Sequence, residues 1–140
     1  MSASPVWAVF STFRPGDAAL DAVSSVAEQV EGVIVVDDGS GPIAEAVLDR
    51  LESAGAIVVR RPDNDGIAAA LNDGIARALD AGAAFVITFD QDSRVAEGFV
   101  RTLVSAHDVA TRAGIRVGLV VPEYFAGVRQ QTGPAAPFGD

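Results

Sequence analysis

The chain has 140 residues, 49% of them hydrophobic and 21% charged, with 10 basic against 19 acidic side chains and a formal net charge of -9. At this length one domain buries roughly two-thirds of the surface its unfolded chain exposes, which argues against two packed domains, and the apolar content argues against a disordered chain. The negative charge disfavours nucleic acid and anionic lipid as partners; the absence of Cys and Lys and the single His107 exclude thiolate, Schiff-base, Walker-lysine and two-histidine chemistry.

In chain order, short Val-, Ile- and Phe-rich runs alternate with longer helical patterns. A run at 6–10 is expected to be a strand, and 18–30 a helix with Leu20, Val23, Val26 and Val30 on one side. A strand at 33–36, a helix at 43–54 and a strand at 56–59 follow, then a helix at 67–81 and a strand at 84–89. A last helix at 96–113 carries Phe99, Leu103, Ala106 and Ala110 at three-and-four spacing, and 115–121 reads as a fifth strand. Gly55, Gly82 and Gly114 stand just past three of the helices, where a left-handed residue closes a helix. The strands are apolar on both faces, as in a covered parallel sheet. The expected fold is therefore α/β, a Rossmann-like doubly wound, mainly parallel sheet of about five strands and four helices.

That domain is expected over 1–121, with 122–140 a poorly ordered tail or a truncated connection to a further part. No apolar run reaches the roughly 18 to 20 residues of a membrane span, and the N-terminus lacks the layout of a signal peptide. A cytoplasmic location is expected, with peripheral attachment at the inner membrane face left open.

In open α/β sheets, ligands bind outside the carboxyl ends of the strands. Those ends carry Ser11-Thr12-Phe13-Arg14-Pro15-Gly16, Asp37-Asp38-Gly39-Ser40, Arg60-Arg61-Pro62-Asp63-Asn64-Asp65-Gly66 and Asp90-Gln91-Asp92-Ser93. Six acidic residues thus gather on one rim, where like charges repel unless a proton or cation intervenes. Asp90 and Asp92, two apart on a strand end, point to one side and suit a hard cation such as Mg2+ or Mn2+; capping of the next helix is the structural alternative. Asp37 and Asp38 follow a buried strand, where one carboxylate either accepts hydrogen bonds from a nucleobase or ribose or caps the following helix. Asn72 and Gly74 interrupt a helical pattern, which implies close packing on the sheet or an amide reaching into the site. Arg60, Arg61 and Arg94 lie on or next to the rim; for Arg94, steering a diphosphate and neutralising nearby aspartates are both open. His107, mid-helix, reads as structural.

Taken together, residues 6–15, Val33-Ile34-Val35-Val36-Asp37-Asp38-Gly39-Ser40, the Asn64-Asp65-Gly66-Ile67-Ala68 stretch with Asn72-Asp73-Gly74, and Phe89-Asp90-Gln91-Asp92-Ser93 resemble the N-terminal half of glycosyltransferase family 2, of GT-A fold, most closely its bacterial rhamnosyltransferase branch. The resemblance implies a nucleotide-diphospho-sugar donor and a saccharide or lipid-linked acceptor. It implies that Ser11, Thr12 and Phe13 hold base and ribose, that Asp37 meets the nucleobase, and that Asp38, Asn64, Gly66 and Asn72 belong to the donor site. Asp90 would meet the ribose or the metal, and Asp92 would ligate an Mg2+ or Mn2+ bridging the two phosphates. The chemistry implied is inverting transfer to an acceptor hydroxyl, as in polysaccharide biosynthesis. The acceptor-binding half that supplies the family's carboxylate base has no counterpart in the sequence, so no catalytic base is assigned.

Other readings exist. A nucleotide-sugar-binding fragment without turnover shares every motif. Gly39-Ser40-Gly41-Pro42-Ile43-Ala44, with Arg60 and Arg61 after the next strand, fits a dinucleotide-binding turn preferring a 2′-phosphate, although two aspartates precede it. Phospho-receiver and haloacid-dehalogenase readings fail on the position of the acidic pair and on the missing lysine.

Overall fold

The structure, a computed structural model, describes residues 4–122. The described chain falls into two units, one up to Val100 and one from Arg101 on. The first holds β1 (Val6–Thr12), α1 (Asp17–Ala27), β2 (Gly32–Asp37), a 3-10 turn (Gly41–Ala44), α2 (Glu45–Ser53), β3 (Ile57–Arg60), α3 (Ile67–Asp80) and β4 (Phe85–Asp90). The helix α4 (Phe99–Arg112) begins at its end.

The four strands form one parallel sheet in the order β3-β2-β1-β4. The chain steps outward from β1 to β2 to β3, then returns through α3 to place β4 on the other side of β1. That reversal sends α3 to the sheet face opposite α1 and α2, because parallel crossovers keep one hand. On the α3 face, Val9, Ile34 and Val36 pack with Ala70 and Ala78, flanked by Trp7, Val59, Leu71 and Val86. Ala70, Gly74 and Ala78 recur every four residues, so α3 turns a stripe of small side chains to the sheet. A Cβ at Gly74 would fall inside the contact radius of Val9 Cγ1. Close packing therefore accounts for this glycine, at a helix-propensity cost of about 1 kcal/mol.

The other face carries Ala8, Phe10, Val33 and Val35, all buried, and α1 and α2 bring Ala22, Val23, Val26, Leu48 and Leu51 to the core. Each large apolar side chain so buried contributes about 1.5–3 kcal/mol. Phe10 stacks on Phe89 at 4.9 Å, and Phe89 meets Phe99 at 6.1 Å. Beyond α1, Gln29 donates to the Ala96 carbonyl and accepts from the Val100 N–H, while Ser25 Oγ accepts from the Val95 N–H. The segment leading into α4 is thereby tied to α1.

Three of the helices close as their glycines suggest, with paired bonds such as Gly82 N–H to the Leu79 carbonyl and Ala83 N–H to the Ala78 carbonyl. The fifth strand is corrected: residues 115–121 form none, and the sheet has four strands. An apolar run signals burial, but a strand exists only through a ladder partner. Among the described residues no strand forms a ladder with this run; the Ile115 N–H bonds back to the Ala110 carbonyl, and Ile115, Leu119 and Val121 are exposed. The tail expected over 122–140 lies outside the described residues from 123 on. Among the described residues no helix is long and apolar enough to cross a membrane.

Candidate functional site

The reversal of strand order leaves a crevice at the carboxyl ends of β1 and β4, the place where open α/β sheets bind ligands. Strand register already sets its chemistry. Ser11 of β1 lies beside Asp90 of β4, Thr12 beside Asp37 of β2, and Asp37 beside Arg60 of β3. Side chains alternate between faces, so neighbours in sequence serve different ends.

Thr12 and Asp37 point into the protein. Asp37 is 2% exposed, and its carboxylate accepts hydrogen bonds from Thr12 Oγ1 at 3.0 Å, Ser40 N–H at 2.9 Å and Ser40 Oγ at 2.7 Å. These three donors offset the cost of burying a charge. Ser40 Oγ in turn accepts the Arg14 N–H at 2.7 Å, and Gln91 Oε1 accepts the Phe13 N–H at 2.9 Å. The turn after β1 is thus laced to the turns after β2 and β4. Arg14 there has φ 49°, a left-handed conformation uncommon outside glycine, and its guanidinium sits 5.1 Å from the centre of the Phe13 ring.

Asp38 is 3% exposed and turns the other way. It accepts from Arg61 Nη1 at 2.7 Å, from the Asp65 N–H at 3.2 Å and from the Gly66 N–H at 2.8 Å. Arg61 Nη2 also reaches Asp65 at 2.8 Å. Arg60 faces away, bonded to Glu45 at 2.9 Å and Asp49 at 2.8 Å, with Glu52 3.6 Å off. The hydrogen bond that Arg60 donates to the Glu45 carboxylate is the main reason its guanidinium pKa lies above the ordinary value. Both guanidinium groups are committed to carboxylates, which weighs against a 2′-phosphate site at this turn. The glycine beginning that turn, Gly39, has φ 74°, and the backbone of Asp63 and Asn64 crosses so close above it that a Cβ could not fit.

An open cleft of about 280 Å³ results. Of the nine residues expected at a donor site, Ser11, Phe13, Asp38, Asn64, Gly66 and Asp90 line it. Thr12 and Asp37 lie buried beneath, shaping the turns, and Asn72 is exposed on α3 and not part of the lining. Asp92 lies in the turn two residues beyond Asp90, also outside the lining, and both are exposed. Neither carboxylate has a hydrogen bond or ion pair among the described residues. Sequence reasoning missed Gln91 and Ile67, which complete the lining. A glutamine between two aspartates reads as a spacer, and only the neighbouring turn reveals its bond to Phe13.

Among the described residues no group of three or more His, Cys, Asp or Glu could by itself cage a metal. Mg2+ and Mn2+ do not require one; they commonly take one or two carboxylates and fill the remaining positions with phosphate oxygens and water. One unpartnered carboxylate lining the cleft, Asp90, and a second two residues beyond it, Asp92, suit that shared mode.

Comparison with known proteins bears on this geometry. The family profile for glycosyl transferase family 2 matches residues 8–131. The dTDP-rhamnosyl transferase RfbF of Shigella flexneri is 37% identical over 101 residues, covering 71% of this chain and 33% of its own length. The chain thus spans about a third of that relative. The crystal structure of S. aureus TarS, residues 1–349, matches with a TM-score of 0.55 at 18% identity, covering 77% of this chain and 32% of that one. It shares the fold, which identifies the parallel sheet as Rossmann-like and of GT-A type. With the profile spanning most of the sequence, from the first strand through all four strand-end turns, the chain belongs to glycosyl transferase family 2.

Proposed function

We propose that this chain carries the donor-binding half of an inverting glycosyltransferase and takes a nucleotide-diphospho-sugar in the cleft between β1 and β4. The observation that carries the reading is the cleft itself: six of the residues the motifs single out converge on one opening at the reversal of strand order. Phe13, 42% exposed, offers an aromatic face to a base, and Ser11 with Asp90 offers hydroxyl and carboxylate groups to a ribose. The wall formed by Asn64 and Gly66 bounds the far side.

Asp90 and Asp92 would hold Mg2+ or Mn2+. When bound, such an ion neutralises a diphosphate and stabilises it as a leaving group. Asp38 cannot share in this, because its oxygens are already held by Arg61 and the loop backbone. The name of the Shigella relative makes dTDP-rhamnose the first donor to test. Binding and transfer are separate claims, and the acceptor and the catalytic base are not assigned to residues of this chain.

The test is a thermal-shift panel of dTDP-rhamnose, dTDP, UDP, GDP and NADPH, each with Mn2+ or with EDTA. A ligand at a hundred times its Kd stabilises the folded state by about 2.7 kcal/mol, a rise in Tm of several degrees for a domain of this size. The expected result is a rise with a nucleoside diphosphate or its sugar that depends on Mn2+. A response to NADPH alone, or to none of the nucleotides, would overturn the reading.

A further inference from the structure

We propose that Arg61 is a positioning residue for the donor cleft: acting through Asp38, it holds residues 63–66 in place as one wall. The identity of the ligand rests on the function proposed above; the mechanical part does not. Arg61 is the first residue beyond β3, and its side chain is 17% exposed. Its guanidinium spans three parts of the fold, meeting Asp38 after β2 at 2.7 Å, Asp65 in the loop at 2.8 Å and Asp73 of α3 at 3.9 Å. A planar fork can serve two carboxylates at once, which a lysine ammonium in that place would do poorly.

Asp38 passes this constraint to the loop backbone. Oδ1 takes both Arg61 and the Asp65 N–H, and Oδ2 takes the Gly66 N–H. Gly66 sits at φ 98°, a conformation open to glycine, and α3 starts immediately after it. Beneath the loop, Gly39 leaves room for the backbone of Asp63 and Asn64 to settle on the β2 turn. Asn64, Gly66 and Ile67, the wall so placed, all line the cleft. Without Arg61, Asp38 and Asp65 would be like charges drawn together with no cation between them, and the loop would relax outward. A cleft whose wall is in place only part of the time loses affinity in proportion to that fraction. Arg61 is not itself among the lining residues, so this loss would come through the loop.

The experiment compares wild type, Arg61→Gln and Arg61→Lys by residue-resolved amide hydrogen exchange without ligand and by calorimetric titration with dTDP and Mn2+. In Arg61→Gln the Asp65 and Gly66 amides should exchange at least about tenfold faster while β1 and β2 stay protected, and dTDP affinity should fall by about tenfold. Arg61→Lys should lie between on both readouts. Asp38→Asn, which keeps the side-chain shape but loses one acceptor oxygen, provides the same comparison if Arg61→Gln does not fold. Unchanged exchange at 65 and 66 overturns the proposal, as does a loosened loop with undiminished affinity. Failure of wild type to bind dTDP, UDP or GDP would remove the donor reading, and the exchange comparison would then decide alone whether Arg61 holds the wall.

Discussion

Each side of the cleft carries a pair of aspartates at a strand end, and the two pairs are opposite in chemical state. On the β2–β3 side, Asp37 and Asp38 are buried, and between them accept bonds from Thr12, Ser40, Arg61 and the backbone of the 65–66 segment. On the β4 side, Asp90 and Asp92 are exposed and have no partner among the described residues. One acidic rim therefore contains a built wall and an open edge. The repulsion expected of six clustered acids is relieved on the first side by an arginine and backbone amides. Of the two strand-end pairs, the one after β4 leaves both its carboxylates for a cation. Substitutions should separate the two: changes to the wall should cost stability, and changes to the open edge should cost binding alone.

Asp37→Ala should have the largest effect on stability. It strips the partner from a buried hydroxyl and from the Ser40 N–H, and hydrogen bonds to a charged group are worth about 1.5–3 kcal/mol each before losses overlap. A loss of about 3 kcal/mol is expected, read as a lower urea midpoint; a change below about 0.5 kcal/mol would place Asp37 among ordinary surface positions. Gly74→Ala comes next. Its Cβ collides with Val9, an overpacking cost of about 1–3 kcal/mol offset by about 1 kcal/mol of helix propensity, so a net loss of about 1 kcal/mol should appear in the same denaturation. A stabilised variant would mean that α3 can lift off the sheet without penalty.

How much of this the sequence disclosed follows the range of each interaction. β1 to β4 were legible as short apolar runs between helical patterns, although only β1 and β2 are largely buried on both faces, and the glycine after each of three helices marked its end. The run at 115–121 misled, because apolarity reports the wish to be buried and not the presence of a neighbouring strand edge. The rim was legible as a rim, since α/β topology assigns strand ends to one side. Which aspartate of the Asp37–Asp38 pair turns to the cleft was not, because it depends on register: Thr12 stands opposite Asp37 and engages it from β1. The bond of Gln91 and the particular partner of Arg61 were hidden as well. Their partners, Phe13 and Asp38, lie 78 and 23 residues away in sequence, and no local pattern encodes them.

The open edge supplies the sharpest test. Calorimetric titration of dTDP, with Mn2+ and with EDTA, should be run on wild type and on Asp90→Asn/Asp92→Asn, with urea midpoints measured in parallel. Exposed, unpartnered carboxylates should be replaced at a stability change within about 0.5 kcal/mol. Mn2+-dependent binding is expected in wild type, with its loss in the double variant at an unchanged midpoint. Equal affinity in EDTA, or binding that survives both substitutions, would contradict a cation-bridged diphosphate at this site.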